Sequence, residues 1–184
     1  MTNLNAGKMA GAVLLLCAAA IAHAQTFTTL VNFDGVNGSG PYLGSLIQGS
    51  DGSFFGTTFS GGANDSGMVF RITPWGTVST VYNFCSEPGC ADGAYPTAGL
   101  AIATDGNLYG TASYGANGYG TIFKLDSQGK LTTLHSFNGS DGLGPDGTLI
   151  QAIDGNFYGT TYGGGLYTYG TVFKITPGCV DDPA

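Results

Sequence analysis

Short stretches of alternating apolar and polar residues recur along the chain, and each is bounded by a glycine-containing turn. "LTTLHSF" from Leu131, "FYGTT" from Phe157 and "TVFKI" from Thr171 place β-branched or aromatic residues in near alternation with polar ones, the pattern of half-buried strands. No segment after residue 24 keeps a 3.6-residue period, and the many glycines disfavour helix. The pattern therefore predicts an all-β fold.

The alternating stretches belong to a repeat. Similar segments begin at Asp51, Asp105 and Asp154, at spacings of 54 and 49 residues. Each is preceded by an apolar piece, then by a proline, and further upstream by an Asp-Gly pair; these are Pro41, Pro96 and Pro145, and Asp34, Asp92 and Asp141. The sequence predicts three units of roughly 50 residues, at about 34–84, 85–137 and 138–178, with a leading segment at 26–33.

Four short strands in a unit of this length match one blade of a β-propeller. The chain begins with the last strand of a unit, "TFTTLVNF" at 26–33, and its last unit reaches only a third strand, "TVFKITP". We therefore expect residues 26–33 to complete the last blade. Because three blades fall below the usual four to eight, three arrangements stay open: a piece of a longer array, two chains joined head to tail, or a lone three-unit ring or open stack.

The segments "DGNFYGTT…GTVFKITPG" and "LHSFNGSDGLGP" resemble the GloVer repeat, a tandem repeat of exported bacterial proteins. "YNFCSEPGCADGAYPTAGL" looks like the variant of that repeat with a paired-cysteine insert. The resemblance covers residues 26–178. It implies a secreted or surface-attached β-repeat protein similar to propeller blades, and it implies no established activity or catalytic motif.

Residues 1–24 have the pattern of a secretory signal peptide. Lys8 is followed by "MAGAVLLLCAAAIA", and Ala22 and Ala24 flank His23 in an A-x-A cleavage site. The apolar run is short for a membrane span, although an uncleaved anchor is the alternative. We expect a protein that is secreted, periplasmic or on the cell surface, with 25–178 as its repeat domain and 179–184 as a tail.

After cleavage, four basic residues remain against twelve acidic ones, a net charge of −8. An acidic chain argues against nucleic acid, since phosphate binding needs clustered positive charge. The same argument disfavours anionic membranes.

The cysteines agree with export. Cys85 and Cys90 bracket the turn "SEPG" and predict a disulfide in an oxidising compartment. A metal pair is the alternative, but no further histidine or cysteine lies nearby in sequence. Cys179 is left over, which suggests intermolecular pairing or an unfinished chain.

Candidate catalytic groups are few. His135 is the one histidine after residue 24, and its repeat equivalents are Val31 and Tyr82, so we predict a strand position and not a general base. Paired carboxylates could cleave glycosides, but most aspartates recur in register before glycine, as turn residues do. Glu87 is the obvious acid outside the register, and it sits inside the cysteine loop.

The recurring aspartates could alternatively bind calcium, although EF-hand ligand spacing is absent, and no other cofactor is expected. The basic residues are also in register, as Arg71, Lys124 and Lys174, each after a phenylalanine. Strand alternation places them on the solvent face, where they could pair with turn aspartates or, alternatively, surround an anionic ligand.

Five tyrosines lie in or beside the variable glycine-rich connections and are the candidate ligand-binding residues; they are Tyr114, Tyr119, Tyr162, Tyr167 and Tyr169. Aromatic rings on rigid loops can stack on an extracellular glycan or peptide, or they can pack between blades. The sequence thus predicts an exported, non-catalytic binding scaffold that could form a head-to-tail homo-oligomer. The alternative is an extracellular carbohydrate-active enzyme, a glycoside hydrolase or lyase, that uses loop carboxylates.

Overall fold

A computed structural model describes residues 25–177, which form three antiparallel sheets. Blade 1 contains β1 (Ile47–Gln48), β2 (Phe54–Thr58), β3 (Met68–Ile72) and β4 (Val78–Asn83). Blade 2 contains β5 (Ala101–Ile102), β6 (Leu108–Ala112), β7 (Thr121–Leu125) and β8 (Leu131–Ser136). Blade 3 contains β9 (Ile150–Gln151), β10 (Phe157–Thr161) and β11 (Thr171–Ile175). A 3₁₀ turn, Pro88–Cys90, is the one helical element within the described part.

Each blade is a meander in which every strand pairs with the next one along the chain. The register repeats as well: Gly56 opposes Phe70 in blade 1, and Gly110 opposes Phe123 in blade 2. The predicted all-β, propeller-like repeat is therefore confirmed. The predicted signal peptide at 1–24 and the tail at 179–184 with Cys179 lie outside the described residues.

The geometry of the turns explains why Asp-Gly pairs recur between the strands. Between β1 and β2 the chain reverses through Gly49–Gly52, closed by a hydrogen bond from the Gly52 amide to the Gly49 carbonyl. Gly52 has a φ of 80°, a left-handed conformation that glycine adopts without steric strain. The Asp51 carboxylate accepts the Ser53 amide at 3.0 Å, which holds the turn from the side chain.

The cores lie between the blades. Val69 of blade 1 packs with Leu100 and Phe123 of blade 2. Ile122 of blade 2 packs in the same way with Leu149 of blade 3. In blade 2, β7 thus buries Phe123 against blade 1 and Ile122 against blade 3, as expected when side chains alternate across a sheet.

A glycine at the centre of the second strand of each blade allows a phenylalanine ring to lie across the strand. A Cβ atom built on Gly110 would stand 2.6 Å from Cζ of Phe123 and 2.9 Å from Cδ2 of Leu100. The equivalent positions Gly56 and Gly159 show the same close approach. Glycine here serves interior packing and not a turn.

The prediction that residues 26–33 complete the last blade is wrong within a single chain. These residues form no strand, and blade 3 has three strands within residues 25–177. Phe33 packs edge-on against Phe70 of blade 1, with ring centroids 5.2 Å apart, as the end of β4 packs on blade 2. The leading segment therefore lies where the outer strand of a preceding blade would lie. Within one chain it packs on blade 1 and does not pair with β11.

Within residues 25–177, no helix is long and apolar enough to cross a membrane.

Candidate functional site

The Asp-Gly aspartates of the repeat hold turns and neighbouring side chains. Asp105 accepts hydrogen bonds from the Asn107 amide at 3.0 Å, the Tyr109 hydroxyl at 2.9 Å and Lys124 Nζ at 3.1 Å. Asp154 accepts the Tyr158 hydroxyl at 2.8 Å in the same way. These carboxylates therefore form intramolecular hydrogen bonds at equivalent positions in successive blades.

The in-register basic residues lie beside these aspartates. Arg71 forms an ion pair with Asp51 at 2.6 Å, and Lys124 forms one with Asp105. Both pairs are solvent-accessible at the end of a blade, so each contributes little to stability. Lys174 acts on Asp154 only electrostatically: hydrogen bonds from Asn156 and Tyr158 lower the pKa of Asp154, and the charge of Lys174 lowers it further.

Asp105 predicts a measurable sensitivity to acid. Its partial burial raises its pKa, but hydrogen bonds from Asn107, Tyr109 and Lys124 outweigh burial and bring the pKa to about 2. This value lies below the ~3.9 of an unfolded aspartate. The ionised carboxylate therefore stabilises the fold above about pH 4, and that contribution disappears as the pH falls from about 4 towards 2.

We expect Asp105→Asn to lower the free energy of unfolding near neutral pH by less than about 1 kcal/mol, since solvent screens the exposed pair. Urea unfolding of both proteins near pH 7 and near pH 2.5 should show the difference shrinking in acid. A difference that stays constant over this range would contradict the assignment.

The second register of aspartates holds the loops that follow the outer strands. Asp92 is buried and accepts the Tyr82 hydroxyl at 2.7 Å and the Ser86 amide at 2.9 Å. Burial and the adjacent Asp92 carboxylate raise the pKa of Tyr82. His135 Nε2 lies 2.9 Å from Asp141, the corresponding contact one blade later. His135 therefore lies in β8, as predicted. Its side chain contacts the aspartate of the following loop, as Tyr82 does in blade 1.

The structure joins Cys85 and Cys90 in a disulfide, as the sequence predicted. Glu87 is exposed within this loop, and its backbone amide donates to Asp92 at 3.2 Å. The loop is thus fastened covalently at its ends and by the buried Asp92 carboxylate at its centre.

The five candidate tyrosines do not converge. Tyr119 packs beside Gly139, and Tyr162 lies against Gly144. Tyr167 and Tyr169 are exposed in the β10–β11 connection. Tyr114 alone among the five joins an aromatic cluster, and that cluster contains residues that the sequence analysis missed.

We call this cluster the aromatic row: Tyr42, Phe59, Tyr95 and Tyr114. Successive ring centroids are 5.9, 5.3 and 6.4 Å apart, and all four side chains are exposed. The row runs from the loops of blade 1 onto those of blade 2. Its backbone is held by paired hydrogen bonds between Ala94 and Tyr114. It is an apolar strip on a rigid support, at a place where loops commonly carry function.

Tyr95 occupies a backbone position that belongs to glycine in the other units. It precedes Pro96 with a φ of 55°, where Gly40 and Gly144, each before its own proline, have a φ of 61°. A left-handed conformation is unfavourable for a non-glycine residue by roughly 1 kcal/mol. Strain of this kind, held by the surrounding structure, points to a functional reason for the ring. The signal was visible in the sequence as Tyr-Pro in place of Gly-Pro.

A half-buried carboxylate lies next to the row. Asp146 accepts the Thr97 hydroxyl at 2.8 Å and the Ser113 hydroxyl at 2.5 Å. Ser113 immediately precedes Tyr114, and Thr97 follows Tyr95 by two residues. Asp146 also departs from the repeat, because Pro96 is followed by threonine and Pro41 by Tyr42. Sequence reasoning missed this acid and singled out only Glu87.

A cleft of about 790 Å³ separates blades 1 and 2, a volume within the usual range for ligand pockets. Ile47, Phe55, Leu125 and Asp126 are among the residues that line it. Between blades 2 and 3, Tyr109 stacks on Phe157 with ring centroids 4.1 Å apart, and the cleft beside Phe137 and Phe173 is smaller, at about 220 Å³.

Among residues 25–177, no three histidine, cysteine or acidic side chains lie close enough together to hold a metal ion.

Comparison with known proteins gives one family. A model described as the Gloeobacter/Verrucomicrobia repeat matches residues 11–180. No curated protein matches the chain.

Several solved structures are similar in fold. A structural-genomics target proposed to be a gluconolactonase aligns at a TM-score of 0.45 and 22% identity, covering 72% of this chain and 43% of the other. A gluconolactonase from Xanthomonas campestris aligns at 0.47 and 16% identity, covering 73% and 45%. The extracellular domain of a proposed one-component system from B. thetaiotaomicron aligns at 0.36 and 9% identity, covering 73% and 22%. The chain spans less than half the length of each of these structures.

Proposed function

The chain belongs to the Gloeobacter/Verrucomicrobia repeat family, and we propose that it acts outside the cytoplasm as a non-catalytic binding scaffold that holds a neutral glycan chain along its aromatic row. The signal-peptide pattern of residues 1–24 and the Cys85–Cys90 disulfide support the location.

The observation that carries the proposal is the strained Tyr95. A glycine at this position would be free of strain, and two other units have glycine there. The tyrosine ring instead connects Phe59 to Tyr114 and makes the row continuous. A residue that opposes backbone preference while exposing its ring is better explained by contact with a ligand than by packing.

The chemistry of the row favours a sugar. Aromatic faces pack against the C–H face of a pyranose ring, and four rings in sequence suit an extended oligosaccharide. The Asp146 carboxylate can accept hydrogen bonds from sugar hydroxyls at the edge of the row. The chain carries a net charge of −7, which opposes acidic polysaccharides and leaves neutral ones.

A glycoside hydrolase or lyase is the second candidate, and one observation favours it. Asp146 has no acidic equivalent in the other units, and it accepts hydrogen bonds from two hydroxyl groups. An acid outside the repeat register and held in place by hydrogen bonds is what a catalytic carboxylate requires. Glycoside cleavage typically uses two carboxyl groups flanking the scissile bond, so this candidate also needs a partner acid.

A glycan array followed by incubation with the same sugars tests both candidates. Residues 25–184 should bind one class of neutral oligosaccharide and release no new reducing or unsaturated ends from it. Product that forms with the wild type and disappears with Asp146→Asn would replace the scaffold proposal with the enzyme. Failure to bind any sugar, together with binding to a peptide library, would remove the glycan proposal.

A further inference from the structure

The two outer faces of the three-blade arc leave apolar residues uncovered whose repeat equivalents are buried. Leu46 is 55% exposed, whereas the equivalent Leu100 and Leu149 are 3% and 2% exposed. Leu100 and Leu149 each pack against the preceding blade. Within residues 25–177, no blade precedes the face of blade 1 on which Leu46 lies. We call Leu46, Val31 and Phe33 the leading face.

Blade 3 leaves apolar residues uncovered on its opposite face. Val172 is 80% exposed, whereas its equivalents Val69 and Ile122 are 0% and 1% exposed because each packs against the following blade. Ile150 and Thr160 are exposed beside it, and we call these three residues the trailing face. In the two interfaces inside the chain, the equivalents of Val172 and Leu46 share a core: Val69 with Leu100, and Ile122 with Leu149.

The two faces also complement each other in secondary structure. Blade 3 has three strands, so the outer edge of β11 has no neighbouring strand among the described residues. Residues 26–33 lie on blade 1 without a strand partner, in the position of a preceding blade's outer strand. The contact of Phe33 with Phe70 matches that of Phe84 with Phe123, each with centroids 5.2 Å apart.

We propose that the trailing face of one copy docks onto the leading face of a second copy, head to tail, and that two copies close into a six-bladed ring. Residues 26–33 of each copy then form the fourth strand of blade 3 in the other. Closed propellers contain four to eight blades, and six is the one multiple of three in that range. Reciprocal docking of two copies therefore satisfies every face, whereas an unclosed head-to-tail contact would extend into a filament.

The interfaces inside the chain specify the contacts of this docking. Val172 takes the place of Val69 and meets Leu46 of the second copy. The Thr57 hydroxyl donates to the Ala98 carbonyl of the next blade at 2.9 Å, and Thr111 makes the equivalent, longer contact with Gly147 at 3.5 Å. By the same register, the Thr160 hydroxyl donates to the Gly44 carbonyl of the second copy.

Sedimentation equilibrium of residues 25–184 carrying Cys179→Ser tests the proposal without interference from a disulfide between copies. We expect the mass of two chains. Val172→Asp and Leu46→Asp should each give a monomer with an unchanged circular dichroism spectrum, since both positions are exposed within a single copy. Ala116→Asp, in the exposed β6–β7 turn of blade 2, is the matched control and should remain a dimer.

Mixing the two variants separates head-to-tail docking from a symmetric face-to-face contact. A mixture of Val172→Asp and Leu46→Asp can form one unaltered interface, between the trailing face of the second and the leading face of the first, so dimers should reappear. A wild-type monomer, a trimer or filament, dimerisation that survives either substitution, or a mixture that stays monomeric would overturn the proposal. The glycan array does not depend on this result, because the row lies within one copy.

Discussion

Gly110→Ala should lower the free energy of unfolding by about 3 kcal/mol, at the upper end of the range for overpacked cores. The new methyl group would meet the Phe123 ring and Leu100, both almost completely buried between blades 1 and 2. Phe84 packs edge-on against Phe123, which restricts movement of the Phe123 ring away from the new methyl group. Chemical denaturation followed by circular dichroism measures the change, which is a large part of a typical stability of roughly 5–15 kcal/mol.

The matched control is the same substitution in a Phe123→Leu background. Leucine lacks the far end of the ring, which is the atom nearest to the added methyl group. The two changes should therefore be non-additive, with Gly110→Ala less destabilising in the Phe123→Leu background by at least about 1 kcal/mol, as expected for residues in contact. Strict additivity would show that the close approach of the Phe123 ring does not require glycine at position 110.

Tyr95→Gly should weaken glycan binding at least about tenfold, the loss expected when a central aromatic contact is removed. The substitution separates binding from stability. It relieves roughly 1 kcal/mol of left-handed strain while removing ring contacts of similar size with Phe59 and Tyr114. We therefore expect the free energy of unfolding to change by less than about 1 kcal/mol. Titration calorimetry with the best oligosaccharide from the array measures the affinity.

Tyr167→Ala is the control for this titration, because Tyr167 is an exposed tyrosine outside the row. Its affinity should equal that of the wild type. Equal losses in the two variants would point to a diffuse contribution of surface tyrosines, and unchanged binding by Tyr95→Gly would exclude the row.

The repeat register explains why most of the fold could be predicted from the sequence. Alternation and Asp-Gly turns act locally, so they set strands such as β6 and turns such as Gly49–Gly52 without reference to distant residues. The same register correctly predicted a strand position for His135, and its side chain contacts the following loop as the equivalent Tyr82 does one blade earlier.

Closure and the candidate site could not be predicted in this way. The sequence shows that residues 26–33 resemble an outer strand, but whether they reach β11 depends on how many blades span the arc. The aromatic row joins residues from two units, so it depends on blade packing that periodicity does not encode. The one local sign of the row in the sequence is Tyr95 before Pro96, where the other units have glycine. That substitution indicates backbone strain only when the φ of 55° is known.

The most direct test of the account is to map where the oligosaccharide binds. Amide chemical shifts of isotopically labelled residues 25–184 should be followed as the array-selected sugar is added. Shift changes should concentrate at Tyr42, Phe59, Tyr95 and Tyr114 and at the neighbouring Asp146. Changes centred instead on the cleft between blades 1 and 2, around Phe55 and Asp126, would contradict the account.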